Sequence, residues 1–539
     1  MPGGFPGARE DDAALSLRES HTEGVREPIR ALFGALSALR RNLWLVPAAA
    51  LPALAYSLTL APTLTWAHGG ADGGELLAAA ATGGVPHPPG FPTYLALAAL
   101  ALRLPWGDAA TRLNILSAGS AVAAAAMVAW AVGRNPGGKS RLAAWVAAWL
   151  FALAPLVWGQ AVITAVYTTA AAFAGALLLL SRAGASAPKD FALGTLWGLG
   201  LGAHPVLLFF APLLGTQRRR WGALLAGGAL GLLPYAVLPL RAAMGAPVNW
   251  GNAQHWSGWW WLVSGGPYRG YLEVPCGETL LRLLARLMLL ARQWTPLGLP
   301  LALYGWLLLR ARQRGQALGE ALAVLGTLLV SALWGSGDAF CYLIPALVPL
   351  AAWAGEGIAG ALRRLADQRK PRALRLLPLL LPALLIGLGW RAADLHDDRA
   401  ARDFAARVLA QAPERAILMT ETDRHTFALW GYCYGLGASR TDVTVVDLDL
   451  LVFPWYRERL EKEPGLAGLS AAPDPWAFLR TVGRPLCTVG DGPLSCEDNG
   501  MPQAGLYRLP EAGRNAAMPN GTEGGSLAKA PLLDGGYHR

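Results

Sequence analysis

The sequence predicts an α-helical polytopic membrane protein of about eleven spanning or half-spanning helices, with a small α/β domain at its C-terminal side. Three observations carry that expectation. Hydrophobic residues make up 54% of the 539 positions and charged residues only 15%, and mean hydropathy is +0.34, whereas soluble domains carry about a quarter charged residues. Apolar segments recur at 43–61, 114–133, 142–159, 163–181, 190–202, 205–215, 221–240, 293–309, 317–334, 340–360 and 373–391, most of them near the ~20 residues of helix that a bilayer needs. Beyond residue 392 the composition turns soluble: residues 1–392 carry a net +15 and residues 393–539 a net −5.

The organisation expected is a cytoplasmic, largely disordered N-terminus over 1–42, a transmembrane domain over 43–392 with outer loops 62–113 and 242–292, an α/β domain over 393–510 and a disordered tail over 511–539. The segments 190–202 and 205–215 are too short to span upright and meet at Ala203, His204 and Pro205, which suggests a bent hairpin at membrane depth, where irregular backbone needs protein or a wet cavity beside it. Residues 93–104 form a further short apolar run expected to lie in or dip into the interface. In GETLLRLLARLMLLA over 277–291, Arg282 and Arg286 stand four apart on a leucine-rich helix, the pattern of a helix lying along the bilayer surface. Five tryptophans fall between Trp250 and Trp261, either an interfacial belt or a sugar- or prenyl-binding wall. AILMT at 416–420, VTVVD at 443–447, LCTV at 486–489 and GLYRL at 505–509 read as strands, and 398–411 as an amphipathic helix.

The net charge of +10 lies in short clusters between apolar segments, as topology determinants do, and not in a nucleic-acid footprint. With Arg40 and Arg41 in the cytoplasm, the basic loops Arg134–Arg141, Arg182–Lys189, Arg218–Arg220, Arg310–Arg314 and Arg363–Arg375 follow on the same side. Trp66–Tyr94, Trp158–Thr164, His204, Asn249–Tyr271, Gly335–Phe340 and the α/β domain then fall outside. That puts a multi-pass chain in the cell (inner) membrane with its polar outer loops and C-terminal domain extracytoplasmic. Five cysteines are dispersed without metal-ligand spacing, so neither a metal nor another cofactor is called for. Cys487 and Cys496 are near enough to pair in an oxidising compartment, two free thiols being the alternative.

The most informative stretch is Trp66–Tyr94, WAHGGADGGELLAAAATGGVPHPPGFPTY, with two carboxylates, two histidines, seven glycines and four prolines. Glycine permits positive φ and proline fixes it, so this is a shaped loop. If the run Gly73–Ala81 is helical, Asp72 and Glu75 sit at its first turn on adjoining faces. His87 stands between Pro86 and Pro88 in a rigid extended turn.

These residues resemble a known family. Asp72-Gly-Gly-Glu75 followed by Val85-Pro-His-Pro-Pro-Gly-Phe-Pro-Thr-Tyr94 is similar to the D-S-G-E…G-x-x-H-P-P-G-Y-P signature of the membrane proteins related to the plexin-type transmembrane protein O-mannosyltransferase. The likeness continues through Arg112-Leu-Asn114 with Ser117, Trp158-Gly-Gln160-Ala161 with Val166-Tyr167, Gly198-Leu199 to His204, and Leu238-Pro-Leu-Arg241 with Asn249-Trp-Gly251. Asp423 with Trp430, and Asp442-Val443 before Trp455-Tyr456, echo its soluble domain. The chain departs from the pattern at Gly73, where the family has serine, and at Ala165, where it usually carries glutamate before Val-Tyr.

The resemblance implies a GT-C-like glycosyltransferase of the inverting kind that moves mannose or a similar hexose from a polyprenyl-phosphate carrier to an outer acceptor, a protein Ser/Thr hydroxyl or a glycan. Such a transfer needs a base for the acceptor hydroxyl and groups that stabilise the departing phosphate. Asp72 is assigned the base, with an N-cap role as its structural alternative, and Glu75 its support. His87, His204 and Arg241 are the candidates for the phosphate. Gln160, Tyr167, Asn249 and Trp250 are candidate sugar or carrier contacts, joined by Tyr94 and Asn114, and Asn114 equally suits bridging helices. Asp338 reads as a solvated loop aspartate, with acceptor or cation binding as the other reading. Alternatives to the enzyme are a transporter or flippase for a lipid-linked sugar, and an inactive membrane scaffold, which the missing glutamate at Ala165 keeps open.

Overall fold

The computed structural model describes residues 42–134, 140–272, 276–438 and 440–497. The expected N-terminal disorder, the strand at 505–509 and the tail lie outside these residues.

The membrane portion begins with helix α1 (Val46–Thr59), followed by two short helices in the first outer loop, α2 (Gly73–Thr82) and α3 (Pro92–Ala101). Then come α4 (Ala109–Gly133), α5 (Arg141–Ala152), α6 (Pro155–Ala161), α7 (Tyr167–Arg182), α8 (Ala187–Ala203), α9 (Trp221–Leu232) and α10 (Val237–Ala243). The second outer loop holds α11 (Trp256–Val263) and α12 (Cys276–Arg292), and the membrane portion ends with α13 (Thr295–Arg312), α14 (Arg314–Leu333), α15 (Ile344–Asp367) and α16 (Leu380–Ala393). Among the described residues, five continuous helical segments are long and apolar enough to cross a membrane: Ala109–Gly133, Trp221–Ala243, Arg314–Leu333, Ala339–Asp367 and Arg372–Ala393. The chain is a multi-pass membrane protein.

Two segments differ from their expected shape. The span expected over 142–159 is broken into α5 and α6 by a bend of 67°. Ala154, ahead of Pro155, is extended at ψ 127°, because a proline ring disfavours helical backbone in the residue before it. The short segment expected over 190–202 is a helix that starts three residues earlier, the 17-residue α8, and is not among the segments long and apolar enough to cross. The break after it is where expected: His204 is extended, with φ −162° and ψ 135°, and Pro205 opens a 3-10 helix over Pro205–Gly215.

Close packing in the bundle comes from small residues. A Cβ on Gly194 of α8 would stand 2.0 Å from the Leu224 carbonyl oxygen, and one on Gly227 of α9 2.0 Å from that of Phe191. In lipid, where apolar side chains gain nothing by leaving one apolar medium for another, backbone approach of this kind is what holds helices together. Polar glue includes a buried cluster at the basic-loop end. Arg182 Nε and Nη2 bond both oxygens of Glu320 at 2.7 and 2.8 Å, and its Nη1 bonds Glu356 at 2.9 Å. Arg312 reaches Glu356 at 2.7 Å, and Trp353 Nε1 donates to Glu320 at 2.6 Å. Two guanidinium groups thus meet two carboxylates among α7, α13, α14 and α15, which is how buried charges are tolerated.

The run expected to lie on the bilayer is α12, whose Leu280, Leu281, Leu284, Leu287 and Met288 are exposed, while Arg286 donates to Ser331 on α14.

After α16 the chain folds as an α/β unit: α17 (Ala400–Gln411), β1 (Ile417–Thr420), α18 (Asp423–Trp430), β2 (Thr444–Asp447), α19 (Pro454–Leu460), α20 (Pro475–Thr481), β3 (Leu486–Thr488) and β4 (Ser495–Glu497). The strands lie in the order β2-β1-β3-β4, with β1 parallel to both neighbours and β4 antiparallel to β3. All four residues of β1 and of β2 are buried, as parallel strands covered on both faces require. Cys487 and Cys496 face each other across β3 and β4 and form a disulfide. The unit is tied to the first outer loop through Thr65 Oγ1, which donates to Asp398 at 2.7 Å, and through Leu395 N, which donates to the Thr59 carbonyl.

Removing one partner of the buried cluster leaves a carboxylate unpaired. Arg182→Met is expected to destabilise the bundle by about 3–5 kcal/mol, read as a lower thermal midpoint of the detergent-solubilised protein. An unchanged midpoint would show that the cluster is dispensable.

Candidate active site between the outer loops and the α/β unit

The first outer loop is built as its glycines and prolines suggest. His68 and Gly69 occupy left-handed backbone, at φ 55° and 76°, turning the chain so that Asp72 arrives at the start of α2. Asp72 stands at the N-cap position, yet its side chain makes no capping hydrogen bond. Glu75, one turn on, is fully buried. It accepts the backbone N–H of His87 through Oε1 at 3.1 Å, while Oε2 is in direct contact with His87 Nδ1. Gly90 at φ 84° and Phe91 at φ 41° then reverse the chain into α3, and the His87 ring packs edge-on against Phe91 and parallel to Phe427 of α18.

Asp72 and His87 face a cavity of about 470 Å³. Its other walls come from Gln160 of α6, from Ala165, Val166 and Tyr167, from the bend at His204–Val206, and from Tyr268 and Tyr271 in the second outer loop. Trp334, Ser336, Asp338 and Tyr342 close a third side, and Asp423 and Phe427 of α18 close the fourth. Gln160 is held by donating from Nε2 to the His68 carbonyl at 2.6 Å. Tyr167 donates its hydroxyl to Asp338, which also accepts Ser336 Oγ at 2.5 Å. Asp338 is therefore an engaged wall residue and not the solvated loop aspartate expected. His204 accepts the Val206 N–H on Nδ1 at 3.1 Å, so a neutral ring carries its proton on Nε2. Its ring lies among Phe91, Tyr167 and Tyr342.

Five residues expected to touch sugar or carrier do not line this cavity. Arg241 donates to the carbonyls of Gly84 and Ala79, both at 2.9 Å; it caps the C-terminal end of α2, where a cation meets the partial negative charge of a helix. Asn249 Nδ2 bonds the Ala242 carbonyl at 3.0 Å, and its backbone bridges Val85, with Trp250 N donating to the Val85 carbonyl at 3.0 Å. Trp250 itself stacks behind His87 against Trp455 of α19. Tyr94 is fully buried in the core. Asn114 bonds the Ala61 and Thr63 carbonyls and accepts Thr164 Oγ1 at 2.7 Å. These residues frame the loop from behind: Arg241, Asn114 and Asn249 Nδ2 donate to backbone carbonyls, while Asn249 Oδ1, Trp250 Nε1 and the Tyr94 hydroxyl are buried without a partner among the described residues.

The α/β unit is fitted against α2 at glycine. A Cβ on Gly74 would stand 1.9 Å from the Phe427 carbonyl oxygen, so α18 rests directly on the backbone of α2. Asp423 and Phe427 enter the cavity for that reason. Sequence reading noted Asp423 only as a family echo. The available signal was its place just after the C-terminal end of β1, where ligands gather in open parallel sheets.

Four carboxylates thus meet here. Glu75 and Asp338 are engaged by hydrogen bonds; the side chains of Asp72 and Asp423 accept none from the described residues. Burial raises the Asp72 pKa to about 6, with His87 opposing and Asp338 and Glu75 adding to the rise. Burial likewise raises Asp423 to about 7, together with the neighbouring Asp447, Asp72 and Glu75. For His87, burial disfavours the imidazolium, but contact with Glu75 and the nearby Asp72 and Asp423 outweigh it and raise the pKa to about 9. The arrangement is an ionisable base beside a histidine held as a cation by carboxylates, in an aromatic-walled pocket. A wider groove of about 870 Å³ lies between Pro62–Thr111 and Arg402–Arg440; its Asp108 and Arg440 are bonded to Thr111 and Asp442, and none of the site candidates lines it.

Residues 72–217 match the family profile described as the N-terminal domain of protein O-mannosyl-transferase TMEM260, and residues 401–464 match TMEM260-associated domain 2. The mouse protein O-mannosyl-transferase TMEM260 is 25% identical over 467 residues, covering 79% of this chain. The chain spans 65% of the length of that relative. Among solved structures, ArnT from Cupriavidus metallidurans bound to undecaprenyl phosphate aligns with a TM-score of 0.52 over 83% of this chain and 92% of that one, at 13% identity. The resemblance read from the motifs therefore stands, and the fold is GT-C-like.

The Glu75–His87 contact has a pH signature. Because the His87 pKa is raised from an ordinary 6.5 to about 9, its contribution to stability is fully present below about 6.5 and is lost as pH rises through about 9. The thermal midpoint is expected to fall over that window in the native chain, and Glu75→Gln is expected to flatten the fall. Parallel profiles for the two proteins would refute the assignment.

Proposed function

We propose that this chain is a membrane glycosyltransferase that moves a hexose, mannose or a close relative, from a polyprenyl-phosphate carrier to a hydroxyl acceptor on the extracytoplasmic side. The observation that carries this reading is the single cavity shared by Asp72, His87 and His204: a free carboxylate from the first outer loop and a membrane-depth bend line one pocket. The likeness to an O-mannosyl-transferase and to the fold of an undecaprenyl-phosphate-bound protein supports the choice of donor and acceptor class.

In this reading the carrier enters from the membrane end, beside Val206, Leu208, Phe209 and Val330, which line the cavity there. Asp72, ionised above about pH 6, takes the proton of the acceptor hydroxyl as its oxygen bonds to the anomeric carbon. The bond from that carbon to the phosphate oxygen breaks, and the phosphate leaves with the electron pair. His204 at the bend donates through Nε2–H to the developing phosphate charge, and His87 as imidazolium, on the α18 side of the same cavity, favours that charge through its field without touching it. In this reading one displacement, with Asp72 as the base, inverts the anomeric centre. Ala165, where the family usually has glutamate, lines the same pocket; Asp338, fixed by Tyr167 two residues on, supplies a carboxylate to that wall.

The basic loops support a reading in which the opposite end of the bundle is cytoplasmic and the cavity and the α/β unit face outward. A reporter that works only outside the cytoplasm, fused after residue 392, is expected to be active; activity of a cytoplasmic reporter there instead would overturn the orientation.

With purified protein and labelled undecaprenyl-phosphate mannose, Asp72→Asn is expected to lower transfer by about 10²–10⁴-fold. The native rate is expected to rise with pH through about 6 as Asp72 ionises and to fall above about 9 as His87 loses its proton. Full activity of Asp72→Asn would exclude this base. Transport of the intact lipid-linked sugar without transfer by the native chain would point to the flippase class.

A further inference from the structure

The α/β unit is more than an appendage of the membrane portion, because its helix α18 forms one wall of the cavity. We propose that α18 makes the acceptor end of this site and that Asp423 is an acceptor-binding residue, which accepts a hydrogen bond from a hydroxyl-bearing polypeptide that is neutral or cationic around the reacting residue. The inference rests on the glycosyl-transfer reading above and adds to it the acceptor's chemistry and the residue that holds it.

Four observations lead there. Of the four carboxylates at the cavity, Glu75 is engaged by His87 and Asp338 by Tyr167 and Ser336. Asp72 is the base. Asp423 is the remaining one; it lines the cavity, and its side chain accepts no hydrogen bond from any described residue. Asp423 is open to solvent at the cavity wall, so its oxygens are free to exchange water for a donor on a ligand.

The second observation is direction. A displacement at the anomeric carbon brings the acceptor in opposite to the leaving phosphate. The bend at Pro205–Phe209 and Val330 of α14 belong to the membrane portion, whereas Asp423 and Phe427 belong to the α/β unit. A carrier that arrives from the lipid leaves the α18 end for the acceptor.

Third, the placement is rigid. α18 sits on the backbone of α2 through Gly74, where a Cβ would clash with the Phe427 carbonyl, and through Gly431, where one would stand 2.6 Å from Gly74 Cα. Phe427 lies one helical turn after Asp423 and parallel to His87. The position of Asp423 relative to the turn carrying Asp72 is therefore set by backbone contact, as an orienting residue needs.

Charge gives the fourth. Asp72, Asp338 and Asp423 face the cavity with His87 as their basic counterpart. The neighbouring Arg424 is occupied elsewhere, its guanidinium 4.2 Å over the Trp66 ring and 3.6 Å from Asp491. An acceptor that brought further negative charge, such as a phosphorylated glycolipid, would meet like charge at close range, whereas a peptide with neutral or lysine neighbours would not.

The experiment uses the full chain in detergent with labelled undecaprenyl-phosphate mannose and three synthetic serine/threonine peptides of equal length: neutral, lysine-flanked and phosphoserine-flanked. The native chain is expected to use the first two and to discriminate against the third. Asp423→Asn is expected to raise the acceptor KM by about tenfold or more, to hold kcat within about threefold at saturating peptide, and to leave the donor KM and the slow release of sugar to water unchanged. Asp423→Glu is expected to recover much of the acceptor affinity, and calorimetric titration of the neutral peptide into native and Asp423→Asn protein reads the same loss without turnover. A matching thermal midpoint shows that α18 is still seated.

An unchanged acceptor KM, a donor KM that rises in parallel, or preference for the phosphorylated peptide would overturn the proposal while leaving the transferase reading intact. A native chain that releases no label with or without acceptor would remove the transferase reading, and this inference with it.

Discussion

The fully buried carboxylate of Glu75 is the constraint on which the site depends. A carboxylate taken out of water must find donors or give up its charge, and Glu75 finds both in one residue, the ring and the backbone N–H of His87. That double contact ties the proline-rich turn to the first turn of α2. It fixes where Asp72 can point, since Asp72 precedes Glu75 by three residues on the same element. It also gives the cavity its one strongly held cation. The flanking prolines limit what the turn can do, but the buried carboxylate decides where it docks.

Around this contact the protein uses backbone proximity more than side-chain complementarity. Gly194 with Gly227 brings α8 against α9, and Gly74 with Gly431 brings the α/β unit against the outer loop. The first contact sets the bundle from which the His204 bend projects; the second puts α18 on the cavity. Both would be lost on adding a single methyl group, and neither depends on expelling water from an apolar face. This explains how a unit with a soluble composition comes to share a pocket with residues of the helical bundle.

Arg241, Asn249, Trp250, Asn114 and Tyr94 illustrate why motif residues and cavity residues are not the same set. All five stand in recognisable family motifs, yet Arg241 caps α2, Asn249 and Trp250 brace Val85, Asn114 staples the end of the first loop to α4, and Tyr94 packs in the core. A site made of loops needs a frame that holds it against the backbone's own flexibility, and such a frame carries as strict a residue pattern as the cavity wall. Among the candidates, Asp72, His87, Gln160, Tyr167 and His204 face the cavity.

What the sequence determined by itself was what local physics can reach. Apolar run lengths marked the membrane segments, Pro205 marked the bend, leucine spacing marked α12, and the glycine and proline pattern of Trp66–Tyr94 marked a shaped loop with Asp72 and Glu75 at a helix start. It missed the break of 142–159 at Pro155 and the full length of α8. It was silent on the partners of Glu75, on the engagement of Asp338 by Tyr167, and on the arrival of Asp423 some 350 residues after Asp72. Those belong to the tertiary structure because they depend on which surfaces meet, and a hydrogen bond or a backbone contact between distant segments leaves no period or run length in the chain that forms it.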